Sequence, residues 1–234
     1  MKHSHTPAAR GFTLIETVIA IGVLAVLLTG FMMVFAPAAA GIKQAISVQD
    51  ADRLSSTLEQ ELVTLRKTDS EPTGFEKAFN RIKSASAANT ALLTYQYRGN
   101  PASMRTEDGT PTPVASVTGL VAGKDYVVVP MVRQQSDALF LKDLPAIEGG
   151  IYLVKCTPMF FSGNELKLGT PGTITDLKGT PATNAATYPE AVIPFAADFY
   201  TLPAKAKAYL DNNFATFFAN PKTPVFTRNL AVRR

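Results

Sequence analysis

Apolar residues form one long, nearly unbroken run at the start of this chain and return at fixed intervals further on. Residues 12 to 35, FTLIETVIAIGVLAVLLTGFMMVF, contain a single charge, Glu16. As a helix rising about 1.5 Å per residue they reach roughly 36 Å, more than the hydrocarbon core of a bilayer at about 30 Å. The pattern then changes. Ala51, Leu54, Leu58, Leu62 and Leu65 recur at steps of three and four, while Asp50, Arg53, Glu59, Glu61 and Arg66 occupy other faces. That spacing predicts an amphipathic helical stalk over 42–70 with one apolar stripe. Pro37, flanked by Gly30 and Gly41, lies between the two patterns. It removes a backbone donor and marks a bend near the outer membrane boundary.

DSEPTG at 69–74 stops the stalk, and Thr73 and Glu76 stand in capping-box spacing ahead of Phe75, Phe79 and Ile82, which predicts a short second helix. Strand signals follow in ALLTYQY (91–97), DYVVVPMV (125–132), GIYLVKCTPMFF (150–161) and ELKLG (165–169), all rich in β-branched and aromatic residues. Pro130 and Pro158 mark edge strands or bulges. Two Gly, Thr, Pro and Ala rich stretches, 99–123 and 169–189, read as long surface loops. AKAKAYLDNNFATFFAN (204–220) has helical spacing, and TPVFTRNLAV after it reads as a final strand. A helix packed on a mostly antiparallel sheet is an α+β arrangement.

Charge and composition narrow the function. Charged residues are 18% of the 234 and apolar ones 46%, which fits one membrane span on one soluble body. The net charge is +4, of which Lys2 and Arg10 supply two, so a chain starting at Phe12 carries +2. The remaining Lys and Arg are scattered, apart from a small positive tail of Arg228, Arg233 and Arg234, and no nucleic-acid partner is expected. Lys2 and Arg10 precede the apolar run and Lys43 is the first basic residue after it. The positive-inside rule therefore leaves the amino terminus cytoplasmic and the large carboxy-terminal body outside. Ala38 and Ala40 offer a signal-peptidase pattern, but the run is longer than the 7 to 15 residues of a signal core.

Catalytic chemistry is hard to find. The two histidines, His3 and His5, precede the apolar run, so a chain cut at its start has no histidine for a triad or a histidine metal site. Cys156 is the single cysteine; it excludes an intramolecular disulfide and reads as a small buried side chain. Gly123-Lys124 lacks the rest of a phosphate loop. Glu107-Asp108 and Asp211-Asn212-Asn213 read as exposed turn or helix signals, not ligands. No catalytic residue, metal site or cofactor is expected.

Glu16 is the informative residue, because a carboxylate inside a membrane helix costs about 2.5–3.5 kcal/mol even on lenient scales. Its context, RGFTLIE from Arg10 to Glu16, resembles the processing motif of type IV prepilins and type II secretion pseudopilins, and the short basic leader MKHSHTPAARG is similar to theirs. The resemblance covers residues 10 to 35. It implies cleavage by a prepilin peptidase between Gly11 and Phe12, N-methylation of the new amine on Phe12, and a pairing of that amine with Glu16 of a neighbouring subunit during assembly. The chemistry is coherent, since an ammonium and a carboxylate in apolar surroundings each require an opposite charge. Pro37 lies a few residues later than the helix proline usual in major pilins.

The implied organisation is a cleaved leader (1–11), a transmembrane and assembly helix (12–41), the amphipathic stalk (42–70) and a globular extracytoplasmic α+β domain (71–234) with a pilin-like fold. The implied function is that of a non-enzymatic structural subunit of a type II secretion pseudopilus or type IV pilus. The stalk ADRLSSTLEQELVTLR is similar to those of minor subunits. Partners implied by the resemblance are other pilin or pseudopilin subunits, the prepilin peptidase, and an inner-membrane assembly platform with its ATPase. The precursor would sit in the inner membrane as a single-pass protein and later enter an extracytoplasmic filament. The competing reading is an uncleaved, signal-anchored extracytoplasmic binding protein that does not polymerise.

Overall fold

The computed structural model describes residues 13–163 and 165–234, and the chain divides into two compact units, Met1–Ile46 and Ser47–Arg234. One helix, α1 (Leu14–Val63), supplies the regular structure of the first unit and opens the second. In the first unit the stretch Leu14–Phe35 is long and apolar enough to cross a membrane, and none of it is buried. Apolar side chains surround the helix there, so no single face can be turned inward.

The second unit is an α+β body. Its elements in chain order are the end of α1, α2 (Gly74–Ser84), β1 (Leu92–Met104), β2 (Pro111–Pro113), β3 (Val127–Gln134), α3 (Ala138–Asp143), β4 (Ile147–Ser162) and β5 (Glu165–Leu168). β6 (Val192–Thr201), α4 (Lys207–Asn212), α5 (Phe214–Ala219) and β7 (Phe226–Arg233) complete it. The strands form a seven-stranded sheet with the path β2-β1-β4-β6-β7, β3 beside β1 and β5 beside β4, and every pairing is antiparallel.

Alternation along each strand sorts side chains onto two faces. Leu54, Leu58 and Leu62 of α1 and Phe75, Phe79 and Ile82 of α2 pack on one face with Leu92, Val154, Ile193, Phe195, Phe199, Leu230 and Val232. The other face holds Leu93, Tyr95, Tyr97, Met131, Ile151 and Leu153 against Phe140 of α3, Leu210 of α4 and Phe214 of α5. Leu54, Leu58 and Leu62 of the predicted stripe therefore form a seam onto the protein's own sheet. Pro130 lies on β3, which pairs with β1 alone and is an edge strand, as a missing donor requires.

Four local expectations change. The helix stops at Val63, not at 70, and Leu65 is exposed. Lys77 of α2 explains the stop: its Nζ donates to the Thr64 carbonyl at 2.5 Å and to Asp69 Oδ2 at 2.8 Å, so the incoming α2 satisfies the end of α1. The stretch 99–123 is partly strand, since β1 runs to Met104 and β2 returns beside it. The helical segment at 204–220 is two short helices broken at Asn213. Asp108 is buried, with only Glu107 of that pair at the surface.

Capping follows sequence. Glu76 N donates to Thr73 Oγ1 at 3.2 Å at the start of α2. In β4, Gly149 takes φ +70° at a bulge where the register against β1 shifts between Thr94 and Gln96, a backbone state that L side chains resist.

Candidate functional site

Thr13 and Glu16 begin α1 with reciprocal hydrogen bonds. The Thr13 amide and hydroxyl each donate to Glu16 Oε2 at 2.8 Å, and the Glu16 amide donates back to Thr13 Oγ1 at 3.3 Å. This is a capping box, with a hydroxyl at N-cap and a carboxylate three residues on, and it satisfies donors that the first turn leaves open. The negative charge also sits at the positive end of the helix dipole. Sequence reasoning had singled out Glu16 but not Thr13. The signal was present in T-L-I-E ahead of an apolar run.

From Thr17 to Phe35 the helix carries only apolar and small side chains. Thr17 and Thr29 turn their hydroxyls back onto the carbonyls of Thr13 and Ala25, at 3.2 and 2.8 Å. Each hydroxyl is thereby satisfied without water, as a helix in lipid or in a packed helical core needs. Phe31 and Phe35 stack with ring centroids 4.5 Å apart. Of the expected site residues, Gly11 and Phe12 lie outside the described residues, Glu16 is exposed in the first turn, and Pro37 falls within the span of α1.

The second unit holds its polar chemistry inside. Asp143, on α3, accepts from Tyr95 at 2.5 Å, from Arg133 Nε at 3.0 Å and from Arg105, while Arg133 Nη2 reaches Asp108 at 2.5 Å. All five side chains are buried. Burial pushes the Tyr95 phenol well above its usual range, and the Asp143 charge adds to that. Burial also raises the Asp108 carboxyl, but Arg133 and Thr110 outweigh it and hold Asp108 below the usual carboxylate range. Arg105 Nε and Nη1 have no hydrogen-bond partner among the described residues, and its guanidinium lies 5.5 Å from the Tyr97 ring centroid. The cluster ties β1, the β1–β2 turn, β3 and α3 together, and each carboxylate is taken up by a cation in the same cluster.

A second network lies where the stalk ends. Asp69 accepts from Lys77, from the Arg66 amide at 2.7 Å and from Arg81 at 3.4 Å, and Arg66 forks onto Glu61. Burial raises the Asp69 carboxyl, and the bonds from Lys77 and Arg66 with the Arg81 charge bring it below the usual range. Cys156, on β4 and fully enclosed, has its thiol pushed up to about 12 by burial, with the Asp198 charge adding to it. A thiol so held is protonated and unreactive near neutrality.

Residues 7–32 match the family model described as the prokaryotic N-terminal methylation motif, the signature of type IV prepilins and pseudopilins. No curated protein and no solved structure matches the chain.

Proposed function

We propose, with the methylation signature at residues 7–32 as premise, that this pilin-like chain is a structural subunit of a type II secretion pseudopilus or a type IV pilus, made as a precursor and activated by cleavage. Prepilin peptidase cuts between Gly11 and Phe12, and the Phe12 amine is then methylated. The helix first anchors the subunit in the inner membrane, with a cytoplasmic amino terminus and the outer body on the far side. An assembly platform and its ATPase then move it into the filament.

The observation that carries this reading is the coincidence of three features within one short segment: the signature, a fully exposed apolar helix, and one carboxylate in its first turn. Cleavage creates an ammonium four residues before Glu16. A buried ammonium is stabilised by a carboxylate, and a neighbour's Glu16 supplies one as helices pack, which fixes the axial register between subunits. Pro37 cannot donate to the carbonyl four residues earlier and gives the helix a weak point for bending during that transfer.

Glu16→Gln tests the assembly step. With peptidase and assembly machinery present, the variant should be cleaved like the parent but yield at least about tenfold fewer sedimentable filaments, the scale of one lost buried charge pair. Normal filament yield from Glu16→Gln would overturn the assigned role.

A further inference from the structure

At one end of the outer body the chain presents a small apolar knob. The segment between β2 and β3 folds on itself, with the Leu120 amide on the Val117 carbonyl at 3.0 Å, the Gly123 amide on the Tyr126 carbonyl at 2.8 Å and the Val121 amide on Asp125 Oδ2 at 2.8 Å. Gly119 and Gly123 adopt φ of +77° and +81°, which lets so short a segment close. The turn is thus held by its own backbone, yet its apolar tip is open, with Leu120 40% and Val121 58% exposed beside Lys124. A pre-ordered apolar tip loses little entropy when it docks.

At another place the body has a groove of about 370 Å³ lined by Met159, Phe161, Leu177, Tyr188, Val192 and Pro194 among others. Phe161 and Leu177 are about half exposed. Glu190 is the single charged residue in its lining. The volume is that of about a dozen waters, and replacing them with aliphatic side chains is favourable.

Topology sets these two features at opposite ends of the sheet. The knob leaves β2 and enters β3 where Pro113 and Val127 pair with Gly99, next to Tyr97 and its partner Ile147 at the start of β4. The groove is built on Met159 to Phe161, at the far end of the same strand. Met159 lies twelve residues along β4 from Ile147, with a bulge between, and at about 3.3 Å per residue the two features are at most roughly 40 Å apart along the strand. A knob and a groove at opposite ends cannot meet within one chain. Between copies they meet either reciprocally in an antiparallel two-fold pair or singly head to tail, and only a head-to-tail contact that does not close generates a filament, as the filament-subunit reading requires.

We infer that the Leu120-Val121 knob of one copy docks into the Phe161–Leu177–Val192 groove of a second copy of this chain, with Lys124 of the knob against Glu190 of the groove. The match is apolar surface to apolar surface with one opposite charge pair at its edge, which sets orientation more than strength. The contact is far smaller than the roughly 1,200 Å² or more of a stable interface. It works only when the membrane helices already hold copies side by side, where effective concentration is high. The inference rests on the filament-subunit reading and extends it: a body with complementary ends belongs to a subunit that repeats, whereas the stalk alone pointed to a minor one.

The test uses the full chain with Val121→Cys and Leu177→Cys together, oxidised in filaments and in lipid bilayers at high protein density. A ladder of cross-linked dimers, trimers and longer products is expected from the double variant. Equal mixtures of the two single variants should give a Val121–Leu177 dimer in preference to either self-dimer. Lys124→Glu and Glu190→Lys should each lower the ladder roughly two- to fivefold, and the two together should restore it. Filaments that form without the Val121–Leu177 product overturn the docking and leave the filament reading intact. Absence of cleavage and filaments overturns the filament reading, and the docking then stands or falls on the bilayer result. A product between two Val121 positions, or equal yield with a cysteine at exposed Asn229 in place of Leu177, also overturns it.

Discussion

Two stretches of α1 distribute their apolar side chains differently and use them in opposite ways. Along Leu14–Phe35 the apolar positions surround the helix and none is buried. Along Ser47–Val63 they fall at steps of four, and Leu54, Leu58 and Leu62 are 2%, 0% and 2% exposed. A stripe can be satisfied by one sheet in the same chain, but a ring cannot. The partner of the first stretch therefore lies outside the chain, in lipid or among other helices, and the partner of the second is β4, β6 and β7 of the same body.

The sharpest way to break the second region without touching the first is Asp143→Ala. It leaves Arg105 and Arg133 buried with one carboxylate fewer, and should destabilise the α+β body by about 3–5 kcal/mol. Urea unfolding of the full chain in detergent micelles, followed by near-ultraviolet signals of Tyr95 and its neighbours, reads this directly. An unchanged midpoint would mean that the cluster is not the brace described.

The same truncation made in both regions compares them most simply. Leu58→Ala removes a fully buried side chain and should cost the α+β body about 2–5 kcal/mol. Leu24→Ala removes an exposed one and should shift the same unfolding transition by less than about 0.5 kcal/mol. If the two variants behave alike, the contrast between stripe and ring is wrong.

Acid gives a smaller effect confined to the second region. Asp69 and Asp108 have carboxyls held below their ordinary range. A depressed folded-state pKa contributes stability that is present above the unfolded value, about 3.9, and is lost as pH falls through the folded value. The urea midpoint should thus decline below about pH 4, and less so in Asp108→Asn. A midpoint indifferent to acid would contradict the ion pairs.

How much of this was legible in the sequence follows the same divide. The apolar run and the capping carboxylate Glu16 needed no tertiary information, because a ring of apolar side chains and a motif are local. The leucine stripe was legible through its period, and Thr73 through its capping spacing. β6 was not, although Ile193, Phe195, Ala197 and Phe199 alternate onto the α1 face. Pro194 and Asp198 interrupt the pattern, and Asp198 is taken up by its cross-strand neighbour, accepting from Thr227 of β7 at 2.7 Å. Asp108 read as a surface turn residue, since nothing near it in sequence announces Arg133, 25 residues later. Arg105 and Asp143 were silent for the same reason. Long-range ion pairs have no local period, so the charge cluster of the α+β body became visible only in three dimensions.

The central claim is that the first stretch is released for assembly by a cut between Gly11 and Phe12. Intact mass and amino-terminal sequencing of the full chain, expressed with and without a prepilin peptidase and beside Gly11→Ala, test it most directly. The account predicts a peptidase-dependent start at Phe12 carrying one extra methyl group, blocked in Gly11→Ala. An intact leader in the presence of active peptidase, or a cut after Ala40, would contradict it and leave the uncleaved anchor or an exported domain in its place.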